Sequence, residues 1–84
     1  MAIQDDTPMA SVRCLTKAGQ LSHIRTVDRA IRYIDIDLDG PTAERPGIRT
    51  AREALYQVLE GKLAIDEARS IFVAALKEAK LLSP

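Results

Sequence analysis

The chain has 84 residues, of which 46% are hydrophobic and 29% charged, a composition typical of one ordinary globular domain. Its 12 Lys and Arg residues balance its 12 Asp and Glu residues. No net charge would therefore draw the protein to nucleic acid or to an anionic membrane. No stretch approaches the roughly 18 apolar residues that a membrane-spanning helix needs, so we expect no membrane association.

The cysteine content indicates the cellular compartment. Cys14 is the only cysteine, so no disulfide can form within the chain, which favours a reducing environment. The N-terminal residues have neither the basic segment nor the apolar run of a signal peptide. We therefore expect a cytoplasmic protein. Residues 1–10 are polar and aperiodic, and we interpret them as a flexible tail before a single domain at residues 11–84.

The first predicted element is a β-hairpin. The segments at residues 11–16 and 22–26 are rich in β-branched side chains and flank a turn at residues 17–21. The outer edge of such a hairpin is unpaired, and a second copy of the chain could cover it. We therefore expect a possible homodimer through this edge, with partly exposed apolar side chains contributing to the contact: Leu15, Leu21 and Tyr33.

Two registers of this hairpin remain open. Pairing Thr16 with Leu21 places Cys14 opposite His23, as a catalytic thiolate–imidazole pair would require. Pairing Thr16 with Ser22 turns His23 to the other face. That register collects three apolar side chains on one face, namely Val12, Cys14 and Ile24. Burial favours the second register, and Cys14 is then a small buried hydrophobic residue.

Three helices are expected to follow the hairpin. The first begins at Thr26, whose hydroxyl can accept a free backbone N–H. Its apolar residues share one helical face: Val27, Ile31, Ile34 and Leu38. It ends before a loop at residues 39–47, which contains two Gly and two Pro.

The second helix is predicted over residues 48–60, with Gly61 as its left-handed C-terminal residue. Its apolar stripe comprises Ala51, Leu55, Val58 and Leu59. The third helix has the longest periodic pattern, with apolar residues at Ala68, Ile71, Phe72, Ala75, Leu76, Ala79 and Leu82. Few residues separate these two helices, so we expect an antiparallel helical hairpin. The predicted core comprises Ile31, Ile34, Leu55, Leu59, Ile71, Phe72 and Leu76.

The predicted fold class is therefore α+β, an N-terminal β-hairpin followed by three α-helices. Several segments carry a family resemblance: Val12-x-Cys14, Ile24-x-Thr26-Val27-x-x-Ala30, Leu59-Glu60-Gly61, and the most specific block at residues 67–75 with Glu78-Ala79. These segments resemble the alphaproteobacterial domain-of-unknown-function family nine-eight-two. The resemblance implies a bacterial protein with a short hairpin followed by helices, and it implies no activity or site.

An acidic segment resembles half of a calcium-binding loop. Alternate carboxylates at Asp35, Asp37 and Asp39, followed by Gly40, match the first half of an EF-hand. The twelfth position of that loop requires a glutamate, and this chain has Pro46 there, which offers no side-chain oxygen. We therefore interpret the segment as the acidic end of a helix and predict no metal site and no cofactor.

A basic cluster is the alternative functional feature. It comprises Arg13, Lys17, Arg25, Arg29 and Arg32. The spacing of Arg25, Arg29 and Arg32 predicts one helical face that could contact phosphates. The neutral net charge and the scarcity of aromatic residues argue against nucleic acid. A solvated basic face is the simpler interpretation.

No catalytic motif or convergent polar set is visible in the sequence. By elimination, we expect no enzymatic activity and predict a small protein–protein interaction or regulatory module whose partner the sequence does not identify. The alternative is a nucleic-acid-binding module that uses the basic cluster of residues 13–32.

Overall fold

A computed structural model describes residues 7–38 and 40–83 of the chain. An antiparallel pair of strands is followed by helices in this order: β1 (Pro8–Leu15), β2 (Leu21–Thr26), α1 (Val27–Arg32), which continues as a π-helical turn (Tyr33–Asp37), α2 (Gly40–Ala43), α3 (Pro46–Leu59) and α4 (Ile65–Glu78). The predicted α+β class is confirmed. The short helix α2 lies where the sequence predicted only a loop.

The hairpin begins earlier than the sequence suggested. Strand β1 starts at Pro8, so residues 8–10, which were predicted as part of a tail, belong to the sheet. Thr7 is also tied to the fold, because its carbonyl accepts the N–H of Val27 over 2.9 Å, and residues 1–6 of the predicted tail lie outside the described residues. The strand is also irregular near its start, with a shift of register between Pro8 and Val12.

Neither predicted register occurs. Leu15 pairs with Leu21, and Cys14 pairs with Ser22, whereas the favoured register would place Leu15 opposite His23, two residues away. A displacement by two residues leaves every side chain on its original face. The predicted inner face is therefore correct, and its three members are buried: Val12, Cys14 and Ile24.

The helices cover this inner face and enclose the core. Helix α1 begins as predicted, because the Thr26 hydroxyl accepts the backbone N–H of Arg29 over 3.1 Å. All four apolar residues predicted for its inner face are buried: Val27, Ile31, Ile34 and Leu38. The ring of Tyr33 meets that of Phe72 edge to face, with centroids 6.2 Å apart, a favourable aromatic geometry.

Most of the predicted core is confirmed, with two corrections. Five of its residues are buried: Ile31, Ile34, Leu55, Phe72 and Leu76. Leu59, however, is 41% exposed, and Ile71 is only partly buried. The buried stripe of α3 instead comprises Ile48, Ala51, Ala54 and Leu55. Leu59 lies in the last turn of that helix, beyond the reach of α4's covering side chains.

Helices α3 and α4 pack against each other as predicted. A Cβ atom at Gly47, near the start of α3, would lie 3.0 Å from Oε1 of Glu78 at the end of α4. The beginning of one helix therefore lies beside the end of the other, which is antiparallel packing. Gly61 takes the predicted left-handed conformation with a φ of 75°. The following N–H, that of Lys62, bonds back to Gln57 over 2.8 Å.

Helix α4 ends earlier than its apolar pattern suggested. It stops at Glu78 with Ala79 as C-cap, and Lys80 then adopts a positive φ of 61°. The N–H of Leu81 returns to the carbonyl of Leu76 over 2.8 Å, which completes a Schellman cap. Leu82 is therefore not helical. No helix in the described parts of the chain is both long and apolar enough to cross a membrane.

Candidate interaction edge of the sheet

The C-terminal residues close one edge of the sheet. After the cap at Lys80 the chain runs antiparallel to β1, with Leu82 opposite Cys14. The N–H of Leu15 donates to the carbonyl of Leu81 over 2.8 Å, and the N–H of Ser83 donates to the carbonyl of Arg13 over 2.9 Å. Residues 81–83 thus form a β-bridge to the outer edge of β1, although the apolar spacing predicts Leu82 to be helical.

A side chain from α4 continues this closure along β1. The guanidinium of Arg69 donates from Nε to the carbonyl of Ala10 over 2.9 Å and from Nη2 to the carbonyl of Ser11 over 3.0 Å. These two carbonyls precede the part of β1 that residues 81–83 cover. The outer edge of β1 is therefore bonded along most of its length.

The outer edge of β2 is open. In an antiparallel ladder, the N–H and C=O of one residue point to the same side of the strand, and they alternate from residue to residue. The N–H and C=O groups of Arg13 and Leu15 point away from β2. The residues opposite them on β2, His23 and Leu21, therefore direct their own N–H and C=O groups away from β1. The outward groups of β2 are therefore those of Leu21, His23 and Arg25. Within residues 7–38 and 40–83, no backbone group bonds to this edge.

A groove runs beside the open edge, between β2 and α1. Helix α1 follows β2 directly, so it returns alongside that strand. The π-helical turn that continues α1 ends at the hairpin turn, where the N–H of Lys17 donates to the carbonyl of Asp37 over 2.8 Å. The groove contains a cavity of about 100 Å3 lined by Ile24, Arg29, Arg32, Tyr33, Ile36 and Asp37. Ile24 and Tyr33 are buried, whereas Ile36 is 58% exposed.

The structure divides the predicted basic cluster. Arg25 lies in β2 and not on a helix, so the predicted helical face of three arginines is wrong. Arg29 and Arg32 are on α1 and both line the groove. Arg13 lies on β1 and lines a different cavity together with Arg69, and Lys17 lies in the hairpin turn. Three of the five residues therefore border the open edge: Arg25, Arg29 and Arg32.

The groove and its edge carry excess positive charge. In the part of the chain that the structure describes, no carboxylate lies within ion-pair distance of Arg25, Arg29 or Arg32. Two acidic residues lie nearby: Asp37, which lines the groove, and Asp28 in the first turn of α1. All three arginines are exposed, so their charges are available to a ligand.

One carboxylate of the acidic segment is already paired with an arginine. Asp35 accepts two hydrogen bonds from Arg52 on α3, over 2.7 Å from Nε and 3.2 Å from Nη2. This bidentate pair engages both carboxylate oxygens. The predicted third carboxylate, Asp39, lies outside the described residues, and those that are described contain no cluster of three candidate metal ligands.

Cys14 and His23 do not form a catalytic pair. The Cys14 side chain is fully buried, with Sγ 3.9 Å from the Ser22 carbonyl, whereas His23 is exposed on the other face opposite Arg13. Burial raises the pKa of the Cys14 thiol, so that the thiolate needed for nucleophilic attack is disfavoured. The buried hydroxyl of Tyr33 donates to the carbonyl of Leu15. Cys14 therefore has a structural role in the core rather than a catalytic one.

A larger, shallow groove of about 860 Å3 lies on the exposed side of α3, from Pro46 to Lys62. Its charged groups are of both signs, and Arg52 is already engaged by Asp35 and stacks over the ring of Tyr56 at 4.9 Å. It contains no histidine or cysteine. This groove lacks the unbonded backbone found beside β2, and two of its three cations are already paired, Arg52 with Asp35 and Lys62 with Glu60.

These features define a small α+β domain with one closed and one open sheet edge. The chain belongs to the family described as a protein of unknown function, DUF982, which it matches over residues 10–83. The predicted family resemblance is confirmed. No curated protein and no solved structure shows a significant match to this chain.

Proposed function

We propose that this protein is a non-enzymatic protein–protein interaction module that binds an extended segment of a partner along the open edge of β2. The observation that supports this proposal is the difference between the two edges of the sheet. Residues 81–83 and Arg69 satisfy the edge of β1, whereas the outward groups of β2 have no bond from the described chain.

Strand addition suits such an edge. An added strand pairs its own N–H and C=O groups with those of Leu21, His23 and Arg25, and its side chains alternate between the two faces of the sheet. Those on the inner face reach the groove beside α1, where Ile36 offers an exposed aliphatic contact. The backbone bonds supply affinity, and the groove supplies specificity. The lone buried Cys14 suits action in the reducing cytoplasm of a bacterial cell.

A second copy of the chain is one candidate partner. Antiparallel pairing of two β2 strands about a two-fold axis would cover both open edges. It would also bring Arg25, Arg29 and Arg32 of each copy together, and like charges across a strand pair are destabilising. This repulsion argues against the homodimer expected from the sequence, so we propose a monomer, with a mass near 9 kDa in light scattering coupled to size exclusion at about 50 μM, since the chain mass is 9.2 kDa. A mass near twice that value would show that two copies of the chain associate, and would favour self-association at the open edge.

Nucleic acid is the second candidate class of ligand. The three arginines at the groove could contact phosphates, but the alternating donors and acceptors of a strand edge match a polypeptide backbone better than a duplex. We expect no association with duplex DNA tighter than about 100 μM at physiological salt, weaker than typical non-specific binders. Micromolar, salt-sensitive binding that Arg29→Glu abolishes would favour nucleic acid instead.

Two variants at one position test the role of the edge. His23→Pro removes an outward N–H, and proline is tolerated in edge strands where its nitrogen faces solvent. His23→Ala changes the same side chain and retains that N–H. Used as baits in a bacterial lysate, the wild-type protein and His23→Ala should retain the same proteins, and His23→Pro should lose them. Thermal unfolding of each bait verifies folding. Equal retention by a folded His23→Pro bait would contradict binding through this edge.

A further inference from the structure

We infer that the segment bound at β2 is acidic, a strand in which Asp or Glu residues alternate with small or aliphatic ones. This inference rests on the proposed function, because it assigns the chemistry of the ligand at the same edge. It follows from where the structure places charge relative to the open backbone, on both faces of the added strand.

The outer face of the added strand would lie beside β2 side chains that point away from the helices. These are Leu21, which is 52% exposed, and the exposed side chains of His23 and Arg25. Arg25 is at the end of the strand where α1 begins. When the acidic side chains of an alternating strand face the groove, its small or aliphatic side chains lie on this outer face and would meet Leu21.

The inner face of the added strand would lie over the groove. There Arg29 and Arg32, separated by three residues on α1, project on one side of the helix, because residues at that spacing are neighbours. Ile36 lies further along the same groove. The carboxylate of Asp37 is at the far end, by the hairpin turn. Acidic side chains are therefore attracted by the guanidinium groups near the start of α1, and an aliphatic side chain fits best near Ile36.

The balance of charge distinguishes an acidic strand from other occupants. The cations that face the edge are Arg25, Arg29 and Arg32. The acidic groups are Asp28 and Asp37. A basic strand, or a second copy of β2, adds charge of the same sign to this surface. A neutral strand forms no ion pair with Arg29 and Arg32, whereas an alternating strand whose Glu residues all face the groove pairs with both.

Exposed ion pairs are individually weak, so the expected effect is moderate. Two pairs at this exposure correspond to a change in Kd of up to about tenfold. Such a difference falls with added salt, because exposed charges are screened. The backbone pairing itself is far less dependent on salt, which separates the two contributions.

Titration with synthetic peptides tests the inference. The probe is a blocked peptide, Val-Glu-Thr-Glu-Val-Glu-Thr, and its matched controls carry Gln or Lys in place of Glu. Binding is followed by the amide NMR shifts of Leu21, His23 and Arg25. We expect the Glu peptide to bind about tenfold more tightly than the Gln peptide, and the Lys peptide more weakly than both. The advantage of the Glu peptide should shrink in 0.5 M salt.

The double variant Arg29→Gln/Arg32→Gln should remove most of that advantage and leave the affinity for the Gln peptide unchanged. Arg49→Gln, on exposed α3 away from the sheet, removes a cation elsewhere and should retain the advantage. Equal affinity for the Glu and Gln peptides at these amides would overturn the acidic strand and leave strand addition intact. Failure of every peptide to shift these amides at millimolar concentration would overturn both proposals.

Discussion

The backbone N–H of Ser83 lies 2.9 Å from the carbonyl oxygen of Arg13, and this bond joins the C-terminal residues to the sheet. It places part of β1 between β2 on one side and residues 81–83 on the other. The outer edge of β1 is therefore largely occupied, so any strand addition is directed to β2. The difference between the two edges is thus a consequence of how helix α4 ends.

Phe72 is the first test of the core. Its side chain is fully buried and its ring contacts that of Tyr33. We expect Phe72→Ala to lower the free energy of unfolding by about 3 kcal/mol, through lost burial and the cavity left behind. Urea unfolding at equilibrium measures the change. For a domain of this size, that loss is a large fraction of the total stability.

Leu59→Ala provides the contrasting variant, because the sequence placed both residues in the core. Leu59 is 41% exposed, so its truncation should cost less than about 1 kcal/mol. Equal losses of unfolding free energy in the two variants would show that the end of α3 is more deeply buried than this exposure indicates. A loss below about 0.5 kcal/mol for Phe72→Ala would contradict the assigned core.

Lys80 offers a stabilising substitution. Its φ of 61° costs an L-amino acid roughly 1 kcal/mol that glycine does not incur, and Gly61 already occupies the equivalent position after α3. The greater freedom of glycine in the unfolded chain offsets part of the gain. We expect Lys80→Gly to raise the free energy of unfolding by about 0.5 kcal/mol in urea titrations. A loss of stability would contradict the left-handed cap.

Alkaline pH should destabilise the protein through two buried groups. Burial raises the pKa of both Cys14 and Tyr33, so the folded state keeps them neutral while the unfolded chain ionises at about 8.5 and 10. Stability is therefore fully present below about pH 8 and falls as the pH rises beyond each unfolded value. Each group contributes a slope approaching about 1.4 kcal/mol per pH unit.

Unfolding in urea between pH 7 and 11 measures this slope. Tyr33→Phe should flatten the curve above about pH 10, at the cost of the hydrogen bond to Leu15. Tyr56→Phe removes a tyrosine that is 38% exposed and should leave the wild-type slope. An unchanged slope in Tyr33→Phe would contradict a neutral, buried Tyr33.

The sequence predicted those elements whose capping residues and apolar spacing match the burial they have in the fold. Thr26 and Gly61 mark helix ends through their own chemistry, and the apolar spacing of α1 correctly predicts its buried face. The inner face of the hairpin was also predictable, because burial decides which side chains point inward. The register was not, since the turn depends on hydrogen bonds that the Thr16 hydroxyl accepts from the N–H groups of Ala18 and Gln20.

The end of α4 could not be read from periodicity. Leu82 continues the helical spacing, but its partner is Cys14 on β1, a tertiary contact that no local pattern encodes. Lysine at the left-handed position gives no stop signal of the kind glycine gives. Closure of β1 was therefore missed, and with it the reason why β2 is the open edge. The arginines of the groove were identified, but Arg25, which the predicted strand at residues 22–26 already contained, was also placed on a helical face with Arg29 and Arg32.

Amide hydrogen exchange on the free protein tests whether the edge of β2 is open while that of β1 is closed. The N–H of Leu15 bonds to Leu81, whereas those of His23 and Arg25 point to solvent from the open edge. We predict that Leu15 exchanges at least about tenfold more slowly than His23 and Arg25, at both 50 μM and tenfold dilution. Protection of His23 and Arg25 equal to that of Leu15 would show that the edge of β2 is already covered, and would contradict the account.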